Sequence, residues 1–247
     1  MKELSIVIPT YNEKDNIAIL IRDIEQALDG IDFEIVVVDD NSPDGTGKIV
    51  QELSSQNHPV RLLTKMKKEG IGAALREGYR SCTTPIIAST DADLSFNPQD
   101  LKKLYNAIKG GLDLVVGTRH SKGSYYETPN RQIWIKHMVS LLGNRTLKLL
   151  TGIPLEDFSG NFRAFTKQTW QKINTQENTN TLLFEMILKA YFTGCTVGQI
   201  PVTFHDRKFG SSKLKLSLEA PKFFLKLLRY LFIYRKQLIK RRRYRIL

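Results

Sequence analysis

Cysteine is scarce in this chain. There are two in 247 residues, Cys82 and Cys195, far apart and without metal-type spacing. That excludes a disulfide framework and a thiolate zinc cage, and it suits a reducing compartment. Long apolar runs are missing too. After Lys222 the longest charge-free piece is Tyr230–Tyr234, far short of the roughly 18 residues a membrane span requires. The N-terminal Met-Lys-Glu-Leu-Ser-Ile-Val-Ile-Pro has too short an apolar stretch for a signal peptide and reads as a strand. The sequon Asn144-Arg-Thr146 is therefore expected to carry no meaning. Acid is absent from the C-terminal end: from Lys222 onward there are ten Lys or Arg and no Asp or Glu. With 37 basic and 25 acidic residues in all, residues 1–221 carry 27 − 25 = +2 of the net +12. The body is nearly neutral and the basicity belongs to the tail. No internal repeat and no low-complexity linker is present. An apolar fraction of 41% against 25% charged residues fits a globular chain with one sizeable domain and an appendage.

Strand and helix patterns alternate through the first half. Strands are expected over 4–8, 33–38, 60–64, 85–89 and 112–117, and helices over 15–28, 45–53, 72–80 and 98–108. Such alternation gives an α/β fold, a Rossmann-like, mainly parallel, doubly wound sheet with helices on both faces. Ligands then lie outside the carboxyl ends of the strands, where strand order reverses. The second half is less regular: a polar mobile loop over 121–130, a helix over 133–150, a strand over 161–165, a helix over 182–193, a strand over 196–204, and a basic loop over 207–213. A C-terminal amphipathic helix is expected over 218–238, with apolar positions at 218, 221, 225, 228, 232 and 239. The expected division is a body of residues 1–217 and a basic amphipathic helix and tail of residues 218–247. Interleaved Phe, Leu, Tyr, Lys and Arg suit a helix lying on anionic lipid; the bland alternative is a helix packed on the body with a solvated basic end.

Two strands end in acid. Pro85–Thr90 delivers Asp91-Ala-Asp93, two carboxylates separated by one small residue, which can share a hard divalent cation and through it a diphosphate. Asn97 before Pro98 is expected to cap the next helix, leaving both aspartates for other work. Oxygen ligands point to Mg2+ or Mn2+. Phe33–Val38 ends in Asp39-Asp40, which reads either as turn and cap or as an acceptor for a nucleoside. Pro9-Thr-Tyr-Asn-Glu13 has the same two readings: Tyr11 and Glu13 against a base, or a turn with Asn12 capping the helix. Arg119, Lys136, Ser140, Arg207 and Lys213 could together surround phosphates, although each alone reads as a solvated polar group.

Ile-Pro-Thr-Tyr-Asn-Glu, Val-Val-Val-Asp-Asp-Asn-Ser-Pro-Asp-Gly-Thr, Asp-Ala-Asp-Leu, Gly-Thr-Arg and Arg-Lys-Phe-Gly-Ser-Ser-Lys-Leu occur in that order. Over about residues 3–215 the chain thereby resembles the family-2 glycosyltransferases of GT-A fold, and within them the polyprenyl-phosphate sugar synthases of the dolichyl-phosphate mannose synthase type. The resemblance implies that Pro9, Tyr11, Glu13, Asp40 and Asp91 contact the donor nucleotide, and that Arg207 and Lys213 hold its diphosphate. Asp91 and Asp93 would bind the metal, with Ser95 standing where many relatives carry Gln. Arg119, Lys136 and Ser140 would receive the lipid phosphate, Lys136 standing where relatives often have Arg. Asp93 and Arg119 are then the residues assigned to catalysis. In Asp-Phe-Ser-Gly-Asn-Phe-Arg (157–163) the Ser-Gly comes one place early against the usual pattern.

The implied reaction is inverting transfer of a hexose, mannose before glucose, from GDP-mannose or UDP-glucose to a polyprenyl phosphate at the cytoplasmic face of a membrane. The chain would be peripheral there, with room for a membrane subunit as partner and no role for nucleic acid. A phosphate acceptor is already an anion and needs no general base. Two rivals stand beside this reading. One is a family-2 enzyme acting on a hydroxyl of a polysaccharide or protein, with Glu156 or Asp157 as base. The other is a non-catalytic nucleotide-sugar-binding module.

Overall fold

A computed structural model describes residues 2–127, 131–205, 207, 223–234 and 236, apart from the side chain of Gln132. Lys213, the 217/218 division and the basic cluster 240–245 lie outside the described residues. The first half runs β1 (Leu4–Thr10), α1 (Lys14–Ala27), β2 (Phe33–Asp39), α2 (Thr46–Ser55), β3 (Val60–Thr64), α3 (Ile71–Ser81), β4 (Ile86–Ser89), α4 (Asp100–Lys109) and β5 (Leu114–Thr118). The second half adds β6 (Tyr125–Tyr126), α5 (Arg131–Thr151), β7 (Arg163–Thr166), α6 (Lys167–Ile173), α7 (Thr181–Phe192), β8 (Val197–Pro201) and β9 (Thr203–Phe204). A last helix, α8, covers residues 223–234.

Seven strands form one sheet in the order β3-β2-β1-β4-β7-β5-β8. All neighbours are parallel except β7, which runs antiparallel between β4 and β5. Order reverses between β1 and β4, so the crevice expected of a doubly wound sheet opens at their carboxyl ends. Successive strand residues enter opposite layers. Ile6, Ile8, Ile35 and Val37 pack with α1, α2 and α4, whereas Val7, Val36 and Val38 pack with α3 and α7. That two-sided burial is why these strands are continuous apolar runs and not alternating ones. On α1 the buried Ile17, Leu20, Ile21 and Ile24 make one stripe at helical spacing.

Helix α3 lies unusually close to the sheet. A Cβ at Gly78 would stand 2.4 Å from Val7 Cγ1 and 2.9 Å from Val38 Cγ2. Gly78→Ala is therefore expected to destabilise the fold by about 1–3 kcal/mol through overpacking. Thermal melting should show a drop of several degrees (roughly 2–4 °C per kcal/mol for a chain this long), where an ordinary helical Gly→Ala would raise the melting point.

Several local expectations change. The single strand expected over 196–204 is two: β8 stays in register with β5 as far as Pro201, and after Val202 the chain turns to Tyr125 and Tyr126 as β9 of a small second sheet. Helix α6 was not expected; its Thr166 cap accepts from Thr169 N. Tyr125 and Tyr126, inside the polar segment expected to be a loop, pair with Thr203 and Phe204. Asn97 does not cap α4. Its Oδ1 accepts from Gln99 N in the turn before the helix. Nor does Asn12 cap α1; the helix is preceded by Glu13, without a side-chain cap.

Helix α8 has two apolar faces. Leu227 and Tyr230 are buried in the main core, with Phe223, Leu231 and Tyr234 packed against it. Phe184 meets Phe223 and Tyr230 edge-on, and Phe192 stacks on Tyr234. Lys226 pairs with Glu177. Phe224, Leu225, Leu228, Phe232 and Ile233 are exposed. The face read from positions 225, 228 and 232 is thus the outer one, and a second face docks on the body. Among the described residues no helix is long and apolar enough to cross a membrane.

Candidate active site

The strand ends bring the acids together, but they use them differently. At the end of β2, Asp39 is a fastener. Thr10 Oγ1 and Ser42 Oγ donate to its Oδ1 at 2.8 and 2.6 Å, and Ser42 N donates to its Oδ2 at 2.8 Å. Asp40 is also buried, but its Oδ1 has no hydrogen-bond partner. Burial raises its pKa, against the pull of Lys65 and Lys68. Lys68 Nζ stands 3.5 Å over the Tyr11 ring. Pro9 lies in β1 opposite Val38.

Asp91 and Asp93 follow β4. Asn161 Nδ2 donates to Asp91 Oδ1 at 3.1 Å, and Ser89 Oγ donates to Asn161 Oδ1 at 2.8 Å. Burial, then the charge of Asp93, raises the Asp91 pKa; Asn161, Arg119 and Arg207 pull the other way. Asp93 Oδ1 accepts from Ser95 N at 3.1 Å and Ser95 Oγ at 2.6 Å, and its Oδ2 meets Arg207 Nη2 at 2.8 Å. The Ser95 hydroxyl therefore donates its proton to Asp93, leaving only its lone pairs for any metal. Between them Leu94 adopts φ 61°. A leucine in the left-handed region is strained by on the order of 1–2 kcal/mol, which the surrounding fold offsets in order to turn Asp93 and Ser95 toward each other. Arg207 Nη1 lies 3.9 Å from Glu13 Oε1, so the β1 and β4 ends share one cation.

Two neighbouring carboxylates, one of them buried beside the charge of the other, suit a divalent cation, whose charge removes the repulsion. Among the described residues no three His, Cys, Asp or Glu side chains gather as a metal cage. A cation here would rest on Asp91 and Asp93 and draw its other oxygens from diphosphate or water, as Mg2+ commonly does.

The end of β5 holds a closed ion pair. Arg119 Nε meets Asp157 Oδ2 at 2.6 Å, and Nη2 meets Oδ1 at 3.0 Å and Ser159 Oγ at 2.8 Å. The Asp157 side chain is 1% exposed and that of Arg119 12%. Burial opposes ionisation of Asp157, but Arg119 outweighs it and holds the carboxyl well below the usual range. His120 Nε2 bonds Ser140 Oγ at 3.0 Å, tying α5 to this strand end. Burial pushes the His120 pKa down to about 4, so the ring is neutral at pH 7. Lys136, one turn before Ser140, is exposed. Glu156 pairs with Lys148.

Arg207 is thus joined to Asp93 and Glu13, and Ser140 to the residue next to Arg119. Asn161, His120 and Lys65 were not expected at the site. For Asn161 the signal was the displaced Ser-Gly in 157–163. The shifted residue fills the place beside Asp91.

The model for glycosyl transferase family 2 matches residues 5–173. A "Dolichol-phosphate mannosyltransferase" of Pyrococcus furiosus is 35% identical over 86% of this chain, which spans 59% of that protein's length. A "Polyprenol monophosphomannose synthase" of Mycolicibacterium smegmatis is 31% identical over 85% of this chain and 80% of its own length. A crystal structure of glucosyl-3-phosphoglycerate synthase from Mycobacterium tuberculosis, in complex with Mn2+, UDP and glucosyl-3-phosphoglycerate, superposes with a TM-score of 0.71. It covers 93% of this chain and 80% of its own at 17% identity, which speaks to the fold. The sheet is that of the GT-A glycosyltransferases, and the chain belongs to glycosyl transferase family 2.

Proposed function

We propose that this chain transfers mannose from a nucleoside diphosphate sugar, GDP-mannose first and UDP-glucose second, to a polyprenyl phosphate, with inversion at the anomeric carbon. The observation that carries the acceptor class is the Arg119–Asp157 pair. A hydroxyl acceptor needs a carboxylate that takes a proton near neutral pH. Asp157 is chelated by a guanidinium and held far below that range, and Glu156 is paired with Lys148. An anionic acceptor needs neither. The names of the two relatives point to the same substrates.

Tyr11, Glu13 and Asp40 receive the nucleoside, and Arg207, with Lys213, holds the diphosphate. Mg2+ or Mn2+ on Asp91 and Asp93 would supply charge neutralisation of the leaving diphosphate. Arg119, Lys136 and Ser140 place the acceptor phosphate. Arg119 brings only the donors that Asp157 and Ser159 leave over, so it orients more than it neutralises. Burial around Asp93 and Arg119 lowers the local dielectric and strengthens the contacts made there.

A membrane surface fits the outside of the molecule. Helix α5 exposes Trp134, Ile135, Val139, Leu142 and Leu149 and contains no acid, and α8 exposes its outer apolar face. Apolar groups set among cations match anionic lipid.

The test is a donor panel against a short polyprenyl phosphate and the matching polyprenol, with Mg2+, Mn2+ or chelator, counting radiolabel in the lipid phase. Label is expected in the phosphate arm with metal and in neither alcohol arm. Label in the alcohol, or full transfer under chelation, overturns the acceptor or the metal respectively.

A further inference from the structure

We propose that Asn161 is a positioning residue for Asp91: its amide, locked in one orientation by a chain of buried hydroxyls that starts at Tyr79, ties one Asp91 oxygen and leaves the other for the divalent cation. The inference rests on the metal reading above and assigns the groups that hold that site's first carboxylate.

The chain runs from α3 through the core to the crevice. Tyr79 OH lies 2.8 Å from Ser89 Oγ, Ser89 Oγ 2.8 Å from Asn161 Oδ1, and Asn161 Nδ2 3.1 Å from Asp91 Oδ1. Tyr79, Ser89 and Asn161 are all buried. The direction of each bond follows from the chemistry of its groups, read back from the end. A carboxylate only accepts, so Asn161 turns its NH2 toward Asp91 and its oxygen toward Ser89. That oxygen also only accepts, so it takes the one Ser89 proton. Ser89 Oγ then has lone pairs alone to offer, and the phenol of Tyr79 donates to it. Burial raises the Tyr79 pKa, which keeps that proton in place. A flipped Asn161 would set oxygen against oxygen at Asp91.

Both ends of the chain are held. The Tyr79 ring meets Phe165 and Trp170 edge-on, with centroids 4.9 and 5.0 Å away. The wholly buried Arg163 donates to Gly160 O at 2.6 Å and Leu183 O at 2.8 Å, which fixes the backbone just before Asn161. Just after it, Phe162 O accepts from Gly117 N at 2.7 Å. Asp91 itself is half-buried, and among the described residues no donor meets its Oδ2. Asp93 is held in the same manner: Ser95 takes Oδ1, and Oδ2 faces a charge, that of Arg207. Groups that orient a metal's ligands in this way are worth about 10- to 100-fold in metal affinity. Mutual satisfaction of buried polar groups does not by itself explain the arrangement. Tyr79 lies in the apolar layer with Val7, Ile87 and Phe165, where each polar group is desolvated at a cost. The last donor of the chain is nevertheless spent at the crevice and not in the core.

The experiment is calorimetric titration of Mn2+ into the full chain with saturating GDP, and in a second arm UDP, for the wild type, Asn161→Leu, Ser89→Ala and the double variant, each with a melting curve. Asn161→Leu should weaken Mn2+ binding about 10- to 100-fold. Ser89→Ala frees the amide to turn and should weaken it about three- to tenfold. Beside Asn161→Leu, Ser89→Ala should add less than about twofold, because its effect passes through Asn161. A purely structural role would lower the melting temperature and leave Mn2+ affinity alone. A folded Asn161→Leu with wild-type Mn2+ affinity therefore overturns this inference, as does a Ser89→Ala loss that persists in full in the double variant; either leaves the metal reading standing. A wild type that takes up no Mn2+ with either nucleotide overturns both. Should Asn161→Leu not fold, Ser89→Ala decides, and wild-type Mn2+ affinity there overturns the inference.

Discussion

Asp93→Asn should reduce transfer by roughly two to three orders of magnitude while melting within a few degrees of the wild type. The asymmetry follows from how the carboxylate is held. Oδ1 accepts two hydrogen bonds from Ser95, and an asparagine oxygen can keep both. Oδ2 faces Arg207, where an amide would set N–H against N–H and remove the charge that draws a divalent cation. The fold loses little because Arg207 retains Glu13. Single-turnover transfer, a Mn2+ titration and a melting curve check it. Ser95→Ala should cost about tenfold, since it removes a hydrogen bond that orients Asp93 and leaves both carboxylates in place. A Ser95→Ala loss as large as that of Asp93→Asn would mean that the hydroxyl does more than orient.

Arg119→Leu should be damaging twice over. It strands the buried Asp157 carboxylate, an event that costs about 3–5 kcal/mol, or roughly 10 °C of melting temperature in a chain this long. It also takes away the guanidinium proposed to orient the acceptor phosphate. The two losses separate in the double variant. Arg119→Leu with Asp157→Leu removes both charges, so most of the stability should return while transfer stays lost. The pair also has a pH signature. The folded Asp157 pKa lies below its unfolded value, so the pair's contribution is full above the unfolded carboxylate range and fades as pH falls through the folded value. Wild type and double variant should therefore diverge most above about pH 4 and converge in stronger acid. Recovery of transfer in the double variant would show that Arg119 serves the fold alone.

The first half of the fold was legible because its strands are buried on both faces and its helices on one, so apolar runs and 3.6-residue stripes are unambiguous. Val60–Thr64 falls as read, and the other first-half elements shift by one or two residues. Position along a strand also placed the acids: a carboxylate just past an apolar run must emerge at the carboxyl edge. What those acids bond to was less accessible. Asp39 and Asp40 are equivalent in one dimension; only the approach of Thr10, 29 residues away, makes the first a fastener and leaves the second open. Asp157 read as a base because its partner lies 38 residues earlier. Helix α8 misled through its own richness, since apolar residues on both sides gave no periodicity that distinguishes the docking face from the outer one.

The clasp between positions 119 and 157 bears on descent as well as on chemistry. If the acceptor is a phosphate, as proposed, a lineage turning to an alcohol would have to liberate that aspartate by discarding the arginine, and the first step on that road is a poorly folding intermediate. Drift between acceptor classes is therefore impeded at a single gate, one that neither residue can pass alone.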